Sequence, residues 1–449
     1  MTQRQKALAG AVTPGMETVA RSEGVPVQTV LEGVAAGWIC IPANRLRLAK
    51  GGAVCGIGKG LRTKVSASVG YTRESADHAR EMEKVSTALG AGADLIMEMS
   101  TGGDTDTLRH AVLERASVPL GTIPIYQAAA ISMEQHGADV CMSAEELLGV
   151  FERHAAAGAD LMVVHAAATL ETLQRARQRH RVMDMVSYGG ALILGWMLHH
   201  QRENPLYESF DRILEIARRH DVTLALADSW RPGCIADSLD LAQVQEVVIM
   251  GELVDRALHA GVQVLVKGPG QVPLGQIKTT TALNKKLCHG VPFFVFGPMV
   301  TGLAPGHDHI AGAIGAAAAA AAGADFICPV TPGEQLGRSP DPADVRTAVV
   351  ASRIAAHAGD LAKGLQRAHD RDRAMSQARK ALDWRKQFRL ALDPEGARNG
   401  WRDRNARPKG YAASRESGSP VACSMCGQYC AMALVSGYLG DASKGVETK

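Results

Sequence analysis

Three cysteines crowd into the stretch "CSMCGQYC" as Cys423, Cys426 and Cys430, near the end of a 449-residue chain. Their C-x2-C-x3-C spacing brings three thiolates together in a short turn. That is one fewer than a structural zinc site needs and an odd number for a disulfide framework. Zinc stays open on the spacing alone, although the tail after Cys430 offers no Cys, His or Asp before Asp441. A [4Fe–4S] cluster held by three thiolates instead leaves one iron free for a small chelating ligand. An open iron is what S-adenosylmethionine radical chemistry requires: the amino-acid part of the cosubstrate chelates it, and an electron from the cluster cleaves the sulfonium to a 5′-deoxyadenosyl radical.

A cluster segment of this kind must be held against a substrate site, and the rest of the chain indicates the scaffold. From about residue 60 to 335 the sequence repeats one theme, a short β-rich run, a Gly or polar break, then a stretch with helical apolar spacing. The runs are "KVSASVGY", "ADLIMEMSTGG", "VPLGTIPIY", "ADLMVVHA", "VMDMVSYGG", "VTLALADS", "VQVLVKGPG", "PFFVFGPM" and "ADFICPVTP". Nearly continuous apolar runs suit strands covered on both faces. Eight or nine such units predict an α/β fold, a (β/α)8 barrel over residues 61–345, with catalytic residues at the C-terminal ends of its strands. A small leader with helical pieces precedes it over 1–60. Helices are expected over 346–393, and a charged, Gly- and Ser-broken tether with the cluster segment over 394–449.

Composition narrows the function classes. The chain is 46% hydrophobic but 4% aromatic, with 47 Gly, so its core must be built from small and aliphatic side chains. A formal charge of +3, with no basic stripe interleaved with aromatics, argues against nucleic-acid binding. No eighteen-residue apolar stretch and no signal-like h-region occur, so no membrane association and a cytoplasmic location are expected. The nine cysteines read as buried thiols plus one metal or cluster site.

A three-cysteine segment placed after a barrel resembles the phosphomethylpyrimidine synthase family, which makes the pyrimidine of thiamine. The resemblance runs through "GLRTKV", "STGGD", "GTIPIYQA", "RENPLYESFDRI", "RPGCIADSLDLAQ", "GPGQVPL", "LAPGHDHIAGAIGAA", "VTPGEQLG", "RIAAHAGDLAKG" and "WRKQF". In layout the chain looks closest to the shorter branch that includes hydroxybenzimidazole synthase. The resemblance implies a [4Fe–4S] cluster on Cys423, Cys426 and Cys430, S-adenosyl-L-methionine as cosubstrate and aminoimidazole ribotide or a related ribotide as substrate. It also implies a homodimer and a reductant such as flavodoxin or ferredoxin. Matching substrate positions are Met97, Tyr126, His165, Ser187 with Gly189 and Gly190, Asp228 and Arg231.

Other positions depart from the family pattern. Its Asn-Ala-Asn is Ser66-Ala67-Ser68 here, the Arg of its phosphate loop is Tyr188, its Glu-Gly-Pro-Gly-His is Lys267-Gly268-Pro269-Gly270-Gln271, and a strand-end Tyr is Phe294. The resemblance implies a zinc ion near the cosubstrate, held by the His of the changed motif and by His309. With Gln271 a poor zinc ligand, a rebuilt site on His307 and His309, which alternate like strand neighbours, is one expectation, and no mononuclear metal the other. Lys267 suggests a relocated phosphate or a different acidic group on the substrate, so aminoimidazole ribotide is expected to be a poor substrate or to give a different product. Set against the enzyme are an electron-carrying iron–sulfur protein on a retired barrel and a zinc-tailed binding protein.

Overall fold

The computed structural model of the chain describes residues 1–178 and 180–405 and the isolated positions Ala431 and Val435. Cys423, Cys426 and Cys430 lie outside the described residues. The chain divides into two compact units, Met1–Leu365 and a second beginning at Gln366.

The leader folds as the helices Gln3–Leu8, Pro14–Glu23 and Val27–Ala36, followed by an antiparallel ribbon of β1 (Ile39–Cys40) and β2 (Ile57–Gly58). Eight parallel strands come next: β3 (Lys64–Val69), β4 (Leu95–Glu98), β5 (Leu120–Thr122), β6 (Leu161–Val164), β7 (Thr223–Ala227), β8 (Val264–Gly268), β9 (Phe293–Phe296) and β10 (Phe326–Cys328). They close into a barrel in which β10 pairs with both β9 and β3. The fold is therefore the expected (β/α)8 barrel. Helices cover its outside and side chains fill its inside, which is why β4, β6, β7 and β8 are buried at every position.

Ladder register decides which residues share the inner face, because directly paired residues point the same way. Ser68 pairs with Met97, Met97 with Gly121 and Gly121 with Leu161; on the far side Ala227 pairs with Lys267, Lys267 with Phe294 and Phe294 with Phe326. Gly121 is small for a reason, since a Cβ there would stand 2.4 Å from Met97 Sδ.

The N-terminal end of the barrel is stoppered by the leader. Lys64 Nζ meets Glu23 Oε1 at 3.1 Å, and the Gln263 amide bonds both backbone groups of Ile41, accepting at 2.7 Å and donating at 3.1 Å. Closure of the barrel joins distant sequence. Phe326 pairs with Lys64, and the Asp360 carboxylate accepts from Thr63 N at 3.0 Å and from Thr63 Oγ1 at 2.6 Å.

Three local expectations change. The run "VMDMVSYGG" is no strand: Asp237 takes the N–H groups of Val182 and Met183 at 2.8 and 2.9 Å, so a side chain occupies donors that a ladder would need, and a helix begins at Tyr188. The barrel helix Pro342–Ala362 carries the first unit past residue 345, lying beside the helix Asp308–Ala321. The tether region opens as a helix, Pro394–Asn405, within the second unit. There Asp393 Oδ1 caps Gly396 N at 2.9 Å, and the Trp401 ring lies tilted against Trp384 at 6.0 Å and edge-on to Phe388 at 5.9 Å between centroids. No helix of the described residues is long and apolar enough to cross a membrane.

Candidate active site

The chain leaves β7 as Asp228-Ser229-Trp230-Arg231, and one buried acid shapes that turn. Glu246, on the helix Leu241–His259, accepts the N–H groups of Ser229 and Trp230 at 2.7 and 2.8 Å. Trp230 Nε1 donates to Thr172 Oγ1 at 2.9 Å, which pins the turn from its other side. Arg231 is thereby aimed across the barrel mouth. Its Nη2 donates to Ser187 Oγ at 2.9 Å, and its Nε stands 3.8 Å from Asp228 Oδ1.

Ser187 is the N-cap of the helix Tyr188–His200, accepting from Gly190 N at 3.3 Å. Gly189 lets this helix end lie on the His165 imidazole: a Cβ at 189 would fall 2.3 Å from His165 Cε1. His165 follows β6, and Asn204 Nδ2 ties down its turn by donating to the carbonyls of His165 and Ala168, both at 2.8 Å. Tyr126 comes from the first turn of the helix Pro124–His136, not from a strand end, and its ring centroid lies 4.9 Å from that of Tyr188. Tyr126, His165, Ser187, Gly189, Asp228 and Arg231 thus share the C-terminal mouth of the barrel.

Deeper in the mouth the inner face continues with Ser66, Met97, Lys267, Phe294, Phe296 and Cys328, all buried except the half-buried Phe296. Ser66 Oγ donates to Ile327 O at 3.4 Å. Phe294 stacks on Phe326 with centroids 4.0 Å apart. Sequence reasoning missed Phe296, Glu246 and Asn204 and took Cys328 for an ordinary buried thiol. The signals were faint: Phe296 stands two residues beyond Phe294 on one strand, and Asn204 sits in "RENP" ahead of a helix.

Burial dominates the electrostatics. It pushes the Asp228 carboxyl up to about 6 against the pull of Arg231 and Lys267, the Glu246 carboxyl up to about 8, and the Tyr126 phenol up to about 12. Burial, with the Arg231 and Lys267 charges, drives His165 well below the usual imidazole range, so its ring is neutral. Lys267 is lowered by burial and the Cys328 thiol is raised by it. Several buried atoms here have no hydrogen-bond partner among the described residues: His165 Nδ1, both Asp228 oxygens, Arg231 Nε and Gln271 Oε1. Buried polar groups are nearly always paired, which makes this cluster the candidate site.

The metal expectation divides. His307 and His309 are not strand neighbours; His307 is the N-cap of the helix Asp308–Ala321 and His309 stands in its first turn, with ring centroids 6.5 Å apart. His309 Nδ1 has no hydrogen-bond partner among the described residues. Among the described residues no three His, Cys, Asp or Glu side chains converge as a ligand set, whereas a catalytic zinc site uses three protein ligands. Two imidazoles do not make up that set. For the cluster, three thiolates at Cys423, Cys426 and Cys430 do fit one that keeps an open iron.

A closed eight-stranded parallel barrel with unpaired buried polar groups at its C-terminal mouth defines a β/α-barrel protein with its candidate site at that mouth. Comparison with known proteins then places it: the sequence profile of the radical SAM ThiC family matches residues 2–437, and the chain belongs to that family. It is 52% identical over 444 residues to phosphomethylpyrimidine synthase of Moorella thermoacetica, covering 99% of this chain and 100% of that protein. It is 53% identical over 440 residues to the phosphomethylpyrimidine synthase of Desulforudis audaxviator, covering 98% and 99%. A solved dihydropteroate synthase from Thermus thermophilus shares 16% identity, covers 67% of this chain and 94% of its own, and has a TM-score of 0.39, a likeness too slight to bear on function.

Proposed function

We propose that the protein is a radical S-adenosylmethionine enzyme of the phosphomethylpyrimidine synthase type, rearranging aminoimidazole ribotide or a closely related ribotide. The observation that carries this reading is the set of unpartnered buried atoms of His165, Asp228 and Arg231 around the barrel mouth, in a chain whose relatives bear that name. A [4Fe–4S] cluster on Cys423, Cys426 and Cys430 supplies, when bound, the electron that cleaves S-adenosylmethionine to a 5′-deoxyadenosyl radical. Arg231 binds an anionic group of the substrate through its fork of donors. Asp228 accepts from a ring N–H or a ribose hydroxyl, and neutral His165 offers Nδ1 to a second polar group. Tyr126, protonated at neutral pH, donates. No step runs through zinc. A cytoplasmic homodimer served by flavodoxin or ferredoxin belongs to the same proposal.

Anaerobic reconstitution tests it. A brown protein that forms 5′-deoxyadenosine after dithionite reduction, with turnover of aminoimidazole ribotide or a related ribotide, is expected. A chromophore that never cleaves the cosubstrate would point to an electron carrier, and a colourless zinc-only protein to a binding function. A second reading, hydroxybenzimidazole synthase-type or otherwise diverged chemistry giving a different product, is favoured by Lys267 standing inside the barrel. Rescue of a thiamine pyrimidine auxotroph would eliminate it.

A further inference from the structure

Lys267 is the penultimate residue of β8, points to the inner face of the barrel and is 3% exposed. Its Nζ lies 5.1 Å from the Phe294 ring centroid and 5.7 Å from that of Phe296. Arg231 approaches the same Phe296 ring, with Cζ 5.2 Å from its centroid. Two cations therefore address one aromatic floor. Arg231 has Asp228 as a loose partner at 3.8 Å, but among the described residues no carboxylate stands within ion-pair distance of Lys267 Nζ. Glu334, the next acid in reach of its field, already accepts Thr331 N at 2.9 Å and Thr331 Oγ1 at 3.1 Å. Cys328 is a buried thiol held in its protonated form.

The two cations of the mouth share the fields of Asp228 and Glu334, and neither carboxylate forms a direct ion pair with Lys267 Nζ. A buried ion without a counter-ion costs several kcal/mol, and cation–π contact returns only about 0.5–2 kcal/mol. The remainder is offset when an anion arrives. Asp228 feels both cations, but it stands 3.8 Å from Arg231 Nε and hydrogen-bonds to neither, and one carboxylate carries one charge against two.

We propose that Lys267 and Arg231 form a two-cation clamp that receives an oxyanion of the substrate, a carboxylate or a phosphate, against the Phe296 ring at the centre of the barrel mouth. The clamp rests on the reading of this mouth as the substrate site and makes Lys267 a specificity-determining residue. A substrate that is neutral at this point would leave the ammonium buried and unpaired, and is rejected on that ground.

Calorimetric titration of the reconstituted full-length protein with inorganic phosphate and with imidazole-4-carboxylate tests the clamp. The wild type is expected to bind at least one probe, K267M to bind it about 10- to 100-fold more weakly, as for loss of a charge-assisted hydrogen bond, and K267R to keep most of the affinity. K267M without ligand should melt at or above the wild-type temperature, because it removes a buried charge. A loss confined to phosphate assigns an ester phosphate to the clamp, and one confined to the carboxylate assigns a ring carboxylate. The clamp is overturned if K267M binds both probes like the wild type, or if the wild type binds neither. Failure to form 5′-deoxyadenosine alongside a K267M binding defect would remove the radical reading and leave the clamp; normal cleavage with unchanged K267M binding would do the reverse.

Discussion

Arg231 Nη2 donates to Ser187 Oγ at 2.9 Å, although 44 residues separate the two in sequence. The same hydroxyl accepts from Gly190 N, so one oxygen both caps a helix and orients the guanidinium at the mouth. Replacing Ser187 by Ala removes both interactions. Loss of the cap should cost about 1 kcal/mol of stability, and loss of the Arg231 contact should raise KM for the substrate roughly tenfold, equivalent to ~1.4 kcal/mol. S187T should restore KM. A KM unchanged in S187A, measured with correctly folded protein, would detach this pair from substrate binding.

Glu246 gives a pH signature. Its carboxyl goes from an ordinary 4.5 to about 8 on folding, chiefly through burial, with Asp228 adding to the rise. The folded protein therefore holds a proton that the unfolded chain has released across that window, and stability falls as pH rises from 4.5 toward 8 before levelling off. Asp228, pushed up to about 6, contributes with the same sign at the lower end. In E246Q the part of the slope above pH 6 should flatten, read as melting temperature against pH. A wild-type slope surviving intact in E246Q would reject the assignment.

Gly189 is the tightest seat in the site. A methyl group there would overlap the His165 ring at 2.3 Å from Cε1 and 2.6 Å from both ring nitrogens. His165 is itself held from behind by the Asn204 bond to its carbonyl. G189A should cost about 1–3 kcal/mol, typical of overpacking, and displace the imidazole. Substrate affinity should fall further than melting temperature alone explains. Recovery of melting temperature in the double variant G189A/H165A relative to G189A would locate the clash at that ring; its absence would place the damage elsewhere.

Metal content of the cluster-free protein checks the two-histidine arrangement. With His307 and His309 at that helix end and no three-ligand group among the described residues, zinc after dialysis should be under about a tenth of an equivalent. Stoichiometric zinc that disappears in H309A would establish a site completed from outside the described residues.

The barrel was legible because its strands are buried on both faces and read as unbroken apolar runs. Ser66, Met97, Lys267 and Phe294 were pointed to by the family resemblance, and the ladder register places them on one face of those strands. Tyr126 and Ser187 were placed on strand ends but stand at the starts of helices, since Pro124 begins a helix two residues after β5 and Asp237 diverts the backbone at Val182. Periodicity does not register a side chain that captures backbone donors. Glu246 was invisible for a related reason: on its helix it is one acid among polar and apolar neighbours, and only the tertiary turn at Ser229 gives it work. The cluster cysteines had the strongest local pattern and lie outside the described residues, so their place rests on family membership.

The closing ladder between β10 and β3 also sets a condition on how the protein is made. Phe326 pairs with Lys64, and Asp360 reaches Thr63 across 297 residues. A growing chain cannot complete that seam until almost the whole first unit has left the ribosome, on the order of tens of seconds at ~5–20 residues per second. Until then the first strand has an open edge, a template for wrong pairing with neighbouring nascent chains. The seam that closes the barrel is the last to form, so substitutions at Thr63 or Asp360 should be felt first as low yield and aggregation during biosynthesis, before any effect on catalysis.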